Sequence, residues 1–397
     1  MSTPLIPRWY QIGAVAAVYQ HLRERDGNPC VVIPTGAGKT IVIAQICRDV
    51  VQQSSRRVIV LAHVKELLEQ SYKKIIECDP SLNVGVYSAG LGRRELHQPV
   101  TVAGIQSVYR RACELGPVDL VIVDEAHTIP ADSDGMYRTF LADAMVVNPK
   151  LRVVGLTATP FRFSSGRICG PGLMFSDICF EVGVRQLIDE GYLTRLRSKA
   201  GHVCPDTRKL HTRGGEFIAQ EAADLMDVAK LVEMACAEIA RLTTDRKGTL
   251  VFATSIAHGQ HVVDQFSRAH GITCGFVTGD TPGRERDDLI GRFKNGSLRY
   301  LVNVNVLTTG FDAPHTDCIV LLRPTASGPL YYQMVGRGFR PSPGKTDCLI
   351  LDYGGNILRH GPVDSINFSQ AEFEMGEGEA PAKQCPECDA LIAAGYA

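Results

Sequence analysis

The sequence contains no stretch that is both long enough and apolar enough to span a bilayer. Its first ten residues also lack an apolar signal region, so we do not expect secretion. Without a secretory signal, the 13 cysteines are expected to be reduced thiols and not a disulfide framework. Together these features predict a cytoplasmic protein with no membrane partner.

The sequence also has almost no excess of positive or negative charge, because the formal net charge is −1. A balance near zero neither favours nor excludes nucleic acid, since a local basic groove is sufficient to bind phosphates. The chain has 397 residues, which exceeds one comfortable hydrophobic core. We therefore expect two or more domains.

Short, fully apolar runs rich in β-branched residues recur along the chain and predict strands buried on both faces of a parallel sheet. Helical patterns lie between them, as at 39–51 and 64–77. The alternation restarts in the second half, which predicts two successive α/β domains at 1–190 and 191–360. The apolar runs are 31–33, 58–61, 120–123, 153–156, 250–253, 299–302, 318–322 and 348–351.

Two segments fall outside this alternation. The segment 201–227 has weak periodicity, so we expect an insertion or loop before a helix at 228–242. Past Gly361 the strand pattern is lost, and the glutamates between 372 and 379 have little basic balance. A poorly packed acidic tail is therefore predicted for 361–397.

A glycine-rich loop follows the first apolar run and opens a helix. Glycines let backbone N–H groups face phosphates, and the helix N-terminus adds the positive end of its dipole. Lys39 is expected to hold the β- and γ-phosphates, and the Thr40 hydroxyl to ligate Mg²⁺. The strict pattern has glycine where Ile33 stands, so this is a variant, and a chance glycine turn is the alternative. The predicted nucleotide contacts are Thr35, Gly36, Ala37, Gly38, Lys39 and Thr40.

Two acidic residues, Asp124 and Glu125, come directly after another apolar run. Because ligand sites gather at the carboxyl ends of strands in such sheets, we expect both to face the loop that carries Lys39. Asp124 fits a contact to Mg²⁺, and Glu125 fits a general base for the attacking water. The alternative interpretation is a solvated acidic turn.

The stretch 333–340 combines polar residues with two glycines. Gln333, Arg337 and Arg340 have the spacing that places side chains on one face of a helix. Each glycine costs a helix about 1 kcal/mol relative to alanine. We therefore expect Gly336 and Gly338 to let a nucleotide phosphate approach the backbone, and a solvated basic helix face is the alternative.

These motifs resemble those of superfamily 2 helicases of the DEAH-box type, and most of all the bacterial RadD family of DNA-repair ATPases. The resemblance covers nearly the whole chain. It implies two tandem RecA-like α/β domains, each a mainly parallel sheet flanked by helices, with ATP and Mg²⁺ bound in the cleft between them. The stretches that carry it include 61–67, 157–162, 307–314 and 344–352.

The function implied by the resemblance is ATP hydrolysis coupled to movement along nucleic acid, with DNA preferred over RNA. One alternative is a DNA-stimulated ATPase that remodels nucleoprotein partners without unwinding, with a recombinase or a single-strand-binding protein as candidate partner. A non-catalytic nucleic-acid-binding module is a second alternative, and the intact Lys39, Asp124, Glu125, Arg337 and Arg340 argue against it.

The resemblance also implies roles for individual residues. Arg337 and Arg340 would be arginine fingers that reach the γ-phosphate, with Gln333 positioning phosphate or water. Many superfamily members have arginine where Val64 stands, which removes one usual nucleic-acid contact. The implied nucleotide contacts include Arg8 and Gln11, which would read adenine, and Gly310 and Asp312; coupling residues are His127, Thr157 and Thr159. The implied nucleic-acid contacts are Lys65, Gln106, Ser107, Thr254, Ser255, Thr278, Arg284 and Thr309.

Cys385 and Cys388 form half of a zinc knuckle. A structural zinc site needs four ligands, and no second pair follows in this sequence. We therefore expect two idle thiols here, and zinc binding only if the chain is extended.

Overall fold

The computed structural model describes residues 6–129, 135–162, 166–308, 310–365, 382–384 and 391–393. Two compact units divide after Gly183, whereas the sequence suggested a boundary after Glu190. Each unit is built on a mainly parallel sheet flanked by helices, so the predicted fold class is confirmed.

The first unit carries an eight-stranded sheet whose central strands are buried and mostly apolar, whereas its two edge strands are partly exposed and carry charged residues. The described residues of the whole unit contain ten strands, eight in this sheet and two in a separate pair: β1 Pro29–Val32, β2 Val58–Ala62, β3 Val84–Ser88, β4 Arg93–Arg94, β5 Val100–Gly104, β6 Leu120–Asp124, β7 Arg152–Thr157, β8 Phe161–Arg162, β9 Gly166–Arg167 and β10 Asp177–Glu181. Its helices are α1 Trp9–Glu24, α2 Lys39–Ser54, α3 Lys65–Cys78, α4 Ile105–Val108, α5 Ala112–Leu115 and α6 Met136–Val147. The sheet order is β10-β1-β7-β6-β2-β5-β3-β4, and β8 pairs separately with β9.

Strand order in this sheet brings three separate loops to one edge. Strand β7 lies between β1 and β6, with Val32 beside Thr157 and Asp124 beside Leu156. All three strands run parallel, so the loops that follow them leave the sheet at the same carboxyl edge. The glycine-rich loop, the acidic pair and the segment after Thr157 therefore become neighbours.

The second unit carries a six-stranded parallel sheet with the order β11-β18-β17-β14-β16-β15. The strands of this unit are β11 Arg195–Ala200, β12 Thr212–Arg213, β13 Glu216–Phe217, β14 Thr249–Phe252, β15 Cys274–Val277, β16 Tyr300–Asn303, β17 Cys318–Leu321, β18 Asp347–Asp352, β19 Ala382–Gln384 and β20 Leu391–Ala393. Its helices are α7 Val184–Asp189, α8 Ala219–Met226, α9 Ala229–Leu242, α10 Ile256–His270, α11 Gly283–Lys294, α12 Gly328–Val335 and α13 Asn356–His360.

The expectation of one helical face through 333–340 is wrong. Helix α12 ends at Val335, a 3₁₀ turn covers Gly336–Gly338, and Arg340 lies beyond that turn. A side chain at position 338 would clash with Cys348 Sγ on β18. Gly338 is therefore needed for close packing against the sheet, and the approach of a phosphate to Gly336 and Gly338 stays a prediction.

The segment 201–227 contains more regular structure than we expected. It forms the hairpin β12–β13 and the helix α8, and α9 then confirms the predicted helix at 228–242. Glu216, next to the two-residue tip of the hairpin, accepts a hydrogen bond of 2.9 Å from the Ala326 amide, just before α12. The Arg359 guanidinium lies 4.8 Å from the centre of the Phe217 ring. These partners are distant in sequence, so local periodicity carried no sign of them.

The C-terminal part of the chain also differs from the expected tail. Strands β19 and β20 pair antiparallel, with Gln384 opposite Leu391. Cys385 and Cys388 lie outside the described residues, so zinc binding stays a prediction for a longer chain. In the part of the chain that the structure describes, none of the helices has both the length and the apolar character needed to cross a membrane.

Candidate nucleotide site and arginine turn

The glycine-rich loop of the first unit has the backbone of a phosphate loop. Gly36 and Gly38 have φ angles of 82° and 86°, a region that side chains other than glycine rarely adopt. A Cβ atom at Gly38 would also lie 2.6 Å from Gln11 Nε2. Helix α2 begins directly afterwards at Lys39, so its positive N-terminal end faces the loop.

Helix α1 holds this loop through two buried side chains. Gln11 Nε2 donates to the carbonyl of Ala37 over 3.0 Å, and Tyr10 Oη donates to the same carbonyl over 2.8 Å. Gln11 Oε1 accepts the Arg8 amide over 2.8 Å. These bonds use about half of the amide's hydrogen-bonding capacity, and the adenine contacts of Arg8 and Gln11 stay predictions. We had not assigned a role to Tyr10, although it stands next to Gln11 in the motif.

The acidic pair lies against the phosphate loop, as the strand order requires. Lys39 Nζ is 3.4 Å from Glu125 Oε1, and both side chains are largely buried. Asp124 Oδ1 accepts the Glu125 amide over 2.9 Å. Glu125 has a φ of 50°, an unfavourable conformation for a residue with a side chain. Strained backbone of this kind is concentrated at functional sites, which supports a catalytic role for Glu125.

Asp124 is the more buried of the two acids, with 3% of its surface exposed. Burial, followed by the charge of Glu125, raises the pKa of Asp124 to about 7, although Lys39 and the bond from the Glu125 amide oppose the shift. Two carboxyl groups next to one ammonium group leave an excess of buried negative charge. Such a place suits a divalent cation, with Asp124 and the Thr40 hydroxyl as oxygen ligands and ATP phosphates supplying others. Among the described residues, no group of three or more His, Cys, Asp or Glu side chains could hold a metal on its own.

The buried charge of Asp124 predicts a pH-dependent gain in stability for Asp124→Asn. The folded-state pKa lies above the ordinary value of 3.8, so the free energy of unfolding falls as pH rises from about 4 to about 7. An amide cannot ionise and avoids this loss. In the absence of nucleotide, we expect the variant's melting temperature to rise by about 2–8 °C at pH 8 and by less at pH 5. The exposed Asp26→Asn is the control, and an equal gain at both pH values would contradict the burial argument.

His127 lies between the acidic pair and the end of β7, with an ion-pair contact to Glu125 and a hydrogen bond to Thr157. His127 Nδ1 lies 3.5 Å from Glu125 Oε2 and 2.9 Å from Thr157 Oγ1. Thr157 Oγ1 donates to the Thr159 carbonyl over 2.9 Å and accepts the Thr159 amide over 3.1 Å. Since the Thr157 proton is committed, Nδ1 of His127 is the donor to Thr157. The predicted coupling residues therefore form one connected network.

Thr159 carries a further sign of a ligand site. Its side chain is fully buried, yet its hydroxyl has no hydrogen-bond partner among the described residues. Buried polar groups without partners are rare in folded proteins because each costs free energy. The hydroxyl is thus suited to bind a group that the protein itself does not supply.

The predicted nucleic-acid contacts of the first unit also lie together, at the ends of β2 and β5. Gln106 Nε2 donates to the carbonyl of His63 over 2.9 Å, and the side chains of both residues are exposed. Ser107 Oγ accepts the Ala89 amide over 3.0 Å, and the exposed Lys65 begins α3. His63 was not among the predicted contacts, although it precedes Lys65 in the same motif. The roles of these residues stay predictions.

In the second unit, the arginine turn comprises residues 336–340 and is bound to the loop after β16. Arg337 and Arg340 each donate to the carbonyl of Phe311, over 2.7 and 3.0 Å. Arg340 also lies 3.0 Å from Asp312 Oδ1. Burial lowers the pKa of Arg340, and the charge of Asp312 opposes that shift. Gln333 is half-buried on α12, and its carbonyl accepts Arg337 Nε over 3.3 Å.

The loop that binds the two arginines has an unusual backbone. Asn305 and Leu307 have φ angles of 54° and 63°, and Gly310 has a φ of 69°. Leu307 is buried, so a packed side chain is held in a conformation that costs about 1–3 kcal/mol. Thr309 lies outside the described residues. Strain beside Asp312 and Arg340 marks this loop as a candidate functional element.

The remaining predicted contacts of the second unit are less uniform. The Thr254 hydroxyl is buried and donates to the Leu322 carbonyl over 2.9 Å. Ser255 caps α10 by accepting the His258 amide over 3.1 Å, and the Thr278 hydroxyl accepts the Asp280 amide over 3.1 Å. Arg284 is exposed at the start of α11. The hydroxyls of Thr254, Ser255 and Thr278 therefore form hydrogen bonds within the protein itself. Arg284 is the exposed cation among these four predicted contacts.

Comparison with known proteins gives the same division of the chain. Residues 4–162 match the family model "Type III restriction enzyme, res subunit", and residues 230–342 match "Helicase conserved C-terminal domain". A Saccharomyces cerevisiae protein with the provisional name ATP-dependent helicase IRC3 is 29% identical over 96% of this chain. The chain spans 58% of the length of that relative.

Two further proteins extend the comparison. The protein "DNA 3'-5' translocase XPB2" of Sulfurisphaera tokodaii is 24% identical, over 84% of this chain and 78% of its own length. The solved structure of the "ATP-dependent Type ISP restriction-modification enzyme LlaBIII bound to DNA" matches with a TM-score of 0.65 at 17% identity. That match covers 88% of this chain and 28% of the enzyme, and it shows a shared fold alone. The two family models and the two RecA-like α/β units lead to one assignment: the chain belongs to the superfamily 2 helicases.

Proposed function

We propose that the protein hydrolyses ATP and uses the energy to move along DNA or to remodel it. The observation that carries this proposal is the contact of 3.4 Å between Lys39 and Glu125 beside a left-handed glycine loop. A phosphate-binding cation and a candidate base are thus already held together at the carboxyl edge of one sheet. The family membership supports ATP as the substrate.

The roles of the first unit follow from its charges and donors. Lys39 and the loop amides would bind the phosphates, and Asp124 with Thr40 would hold Mg²⁺, which would neutralise phosphate charge. Glu125 accepts a proton from the attacking water. His127 fixes the orientation of Glu125 and links Glu125 to Thr157 through the contacts described above.

The second unit supplies the positive charge that hydrolysis needs. We propose that Arg337 and Arg340 leave the Phe311 carbonyl and contact the γ-phosphate when ATP is bound, with Gln333 placing phosphate or water. Guanidinium groups stabilise the charge that grows on the transferred phosphoryl group. Asp312 and Gly310 lie in the strained loop after β16, and we propose that they link the nucleotide state to movement of this loop.

A DNA track is supported by XPB2, whose name states DNA translocation, and by exposed polar groups at strand ends of both units. Lys65 and Arg284 would contact phosphates, which positions a strand without reading its sequence. We also propose that the protein acts in DNA repair or recombination and is a member of the RadD family. Its proposed partner is a recombinase or a single-strand-binding protein. A cytoplasmic location remains the expectation from the sequence.

ATP turnover measured with different nucleic acids tests the proposal. We expect single-stranded, duplex or forked DNA to increase the rate severalfold, and RNA to increase it less. The reason is that the proposed motor couples ATP turnover to contact with its DNA track. Equal rates with every nucleic acid and with none would contradict a motor function.

The second candidate function is remodelling of nucleoprotein partners without unwinding. It differs from a helicase function in the expected result of a strand-displacement assay. Among the described residues of the second unit, the hairpin β12–β13 has the tip residues Gly214 and Gly215, and Glu216 beside this tip binds the Ala326 amide. A hairpin that is bound to its own domain beside its tip is a poor wedge for separating strands, which favours this candidate. A strand-displacement assay run beside the ATPase assay distinguishes the two: DNA-stimulated turnover without displacement supports remodelling.

A further inference from the structure

A half-buried ammonium group, that of Lys345, joins the arginine turn to the loop after β16. Lys345 Nζ donates to the carbonyls of Gly338 and Arg340, each over 2.8 Å, and to that of Pro314 over 3.2 Å. A lysine ammonium has three N–H donors, so all three are used here. Burial lowers the pKa of Lys345. A charge in such a place is retained only with good partners, which the three carbonyl oxygens provide.

A second side chain holds the same turn from another strand. Thr194 is buried next to the start of β11, and its amide donates to the Phe339 carbonyl over 2.7 Å. Its hydroxyl donates to the Arg340 carbonyl over 2.9 Å. Carbonyls beyond a helix C-terminus lack partners within the helix. Lys345 and Thr194 therefore satisfy three successive carbonyls, those of Gly338, Phe339 and Arg340.

The turn and the loop are thus joined at two points. On one side the guanidinium groups of Arg337 and Arg340 bind the Phe311 carbonyl. On the other side Lys345 links the turn to Pro314, three residues further along the loop. The first connection must break if the arginines move to a phosphate. The second uses backbone atoms of the turn, so it can persist and hold the arginine backbone in place.

We infer that Lys345 is a positioning residue for Arg337 and Arg340 in ATP hydrolysis, with Thr194 as a second support of the same turn. The inference rests on the proposed role of the two arginines. Removing the ammonium group leaves the carbonyls of Gly338 and Pro314 without this donor and leaves Thr194 as the remaining support of the Arg340 carbonyl, so the turn must shift to find other donors. A shift of about 1 Å in a catalytic group can cost about 100-fold in rate.

The test is Lys345→Met in the full chain, because methionine keeps much of the side-chain length and removes the donors. We expect kcat for DNA-stimulated ATP hydrolysis to fall by about 10- to 100-fold. Binding of a fluorescent ATP analogue should change by less than about threefold, since Lys345 lies outside the predicted phosphate contacts. Lys345→Arg restores a cation with several donors and should recover part of kcat. The exposed Lys230→Met in the second unit is the matched control and should leave kcat unchanged.

Two comparisons separate this inference from the proposed function. If Arg337→Ala has normal turnover, the proposed role of the arginines fails. If Arg337→Ala loses turnover and folded Lys345→Met does not, only the positioning role fails. In the double variant, the effect of Lys345→Met should become smaller, because one of the two arginines that it positions is already gone. A full, additive loss would show that Lys345 does not act through Arg337.

Thr194→Val keeps the test decisive if Lys345→Met does not fold. Valine preserves the shape and the backbone bond to Phe339 but removes the hydroxyl that binds the Arg340 carbonyl. We expect a smaller fall in kcat, about 3- to 10-fold for the loss of one hydrogen bond, with unchanged nucleotide binding. An unchanged kcat in this variant would overturn the inference, because the turn would then not depend on its supports.

Discussion

Glu125→Gln is expected to lower ATP turnover by about 100-fold or more. Glutamine has nearly the same shape, but its amide cannot accept a proton from the attacking water. Lys39 loses the charge 3.4 Å from its ammonium group, yet it keeps its own positive charge for the phosphates. The variant should therefore still bind ATP. Phosphate release and binding of a fluorescent ATP analogue, both measured with saturating DNA, check this result.

Two variants make the result specific for the base. The exposed Glu69→Gln of α3 should retain full turnover. Lys39→Ala should lose nucleotide binding as well as turnover, because it removes the phosphate contact itself. If Glu125→Gln hydrolysed ATP at the normal rate, Glu125 would not be the base, and the strained backbone at this residue would need another explanation.

Arg337→Ala is expected to lower turnover by about 1,000-fold or more, the effect typical of arginine fingers. Nucleotide binding should remain, because the phosphate loop and Lys39 belong to the first unit. Arg337 is buried and binds the Phe311 carbonyl, so its loss also frees that carbonyl. Thermal unfolding must therefore be measured beside phosphate release, in order to separate a catalytic loss from a structural one.

The control for this variant is Arg292→Ala, a partly exposed arginine of α11 in the same unit. It should leave turnover within about twofold of the original protein. Arg337→Lys provides a second comparison, since lysine keeps the charge but lacks the planar fork that contacts phosphate oxygens in pairs. Normal turnover in Arg337→Ala would remove the arginine-finger role from the proposal.

Much of each sheet could be predicted from the sequence, because strands buried on both faces must be apolar throughout. The run 120–123 predicted β6, and the run 318–322 predicted β17, each within a residue or two at both ends. The phosphate loop was predictable for a similar reason. The left-handed backbone conformations at positions 36 and 38 favour glycine, so the glycines in the sequence directly indicate these turns.

Other features could not be predicted because their partners are distant in sequence. Helix α12 ends at Val335, and Gly338 then packs against Cys348 of β18, which no helical spacing around 333–340 can reveal. The hairpin β12–β13 has weak periodicity, and Glu216 finds its partner at Ala326. Local sequence around Lys345 does not indicate its three carbonyl partners, one of which belongs to Pro314, 31 residues away.

The sequence by itself determined which short segments carry chemistry: the glycine loop ending at Lys39, the acids Asp124 and Glu125, and the paired arginines. Each depends on residue types within a few positions. Only the tertiary structure decided which of them meet, because β7 inserts between β1 and β6 and strand order depends on burial across the whole sheet. It also decided what holds the arginines, since three carbonyls of their turn are bound by Lys345 and Thr194 from other segments.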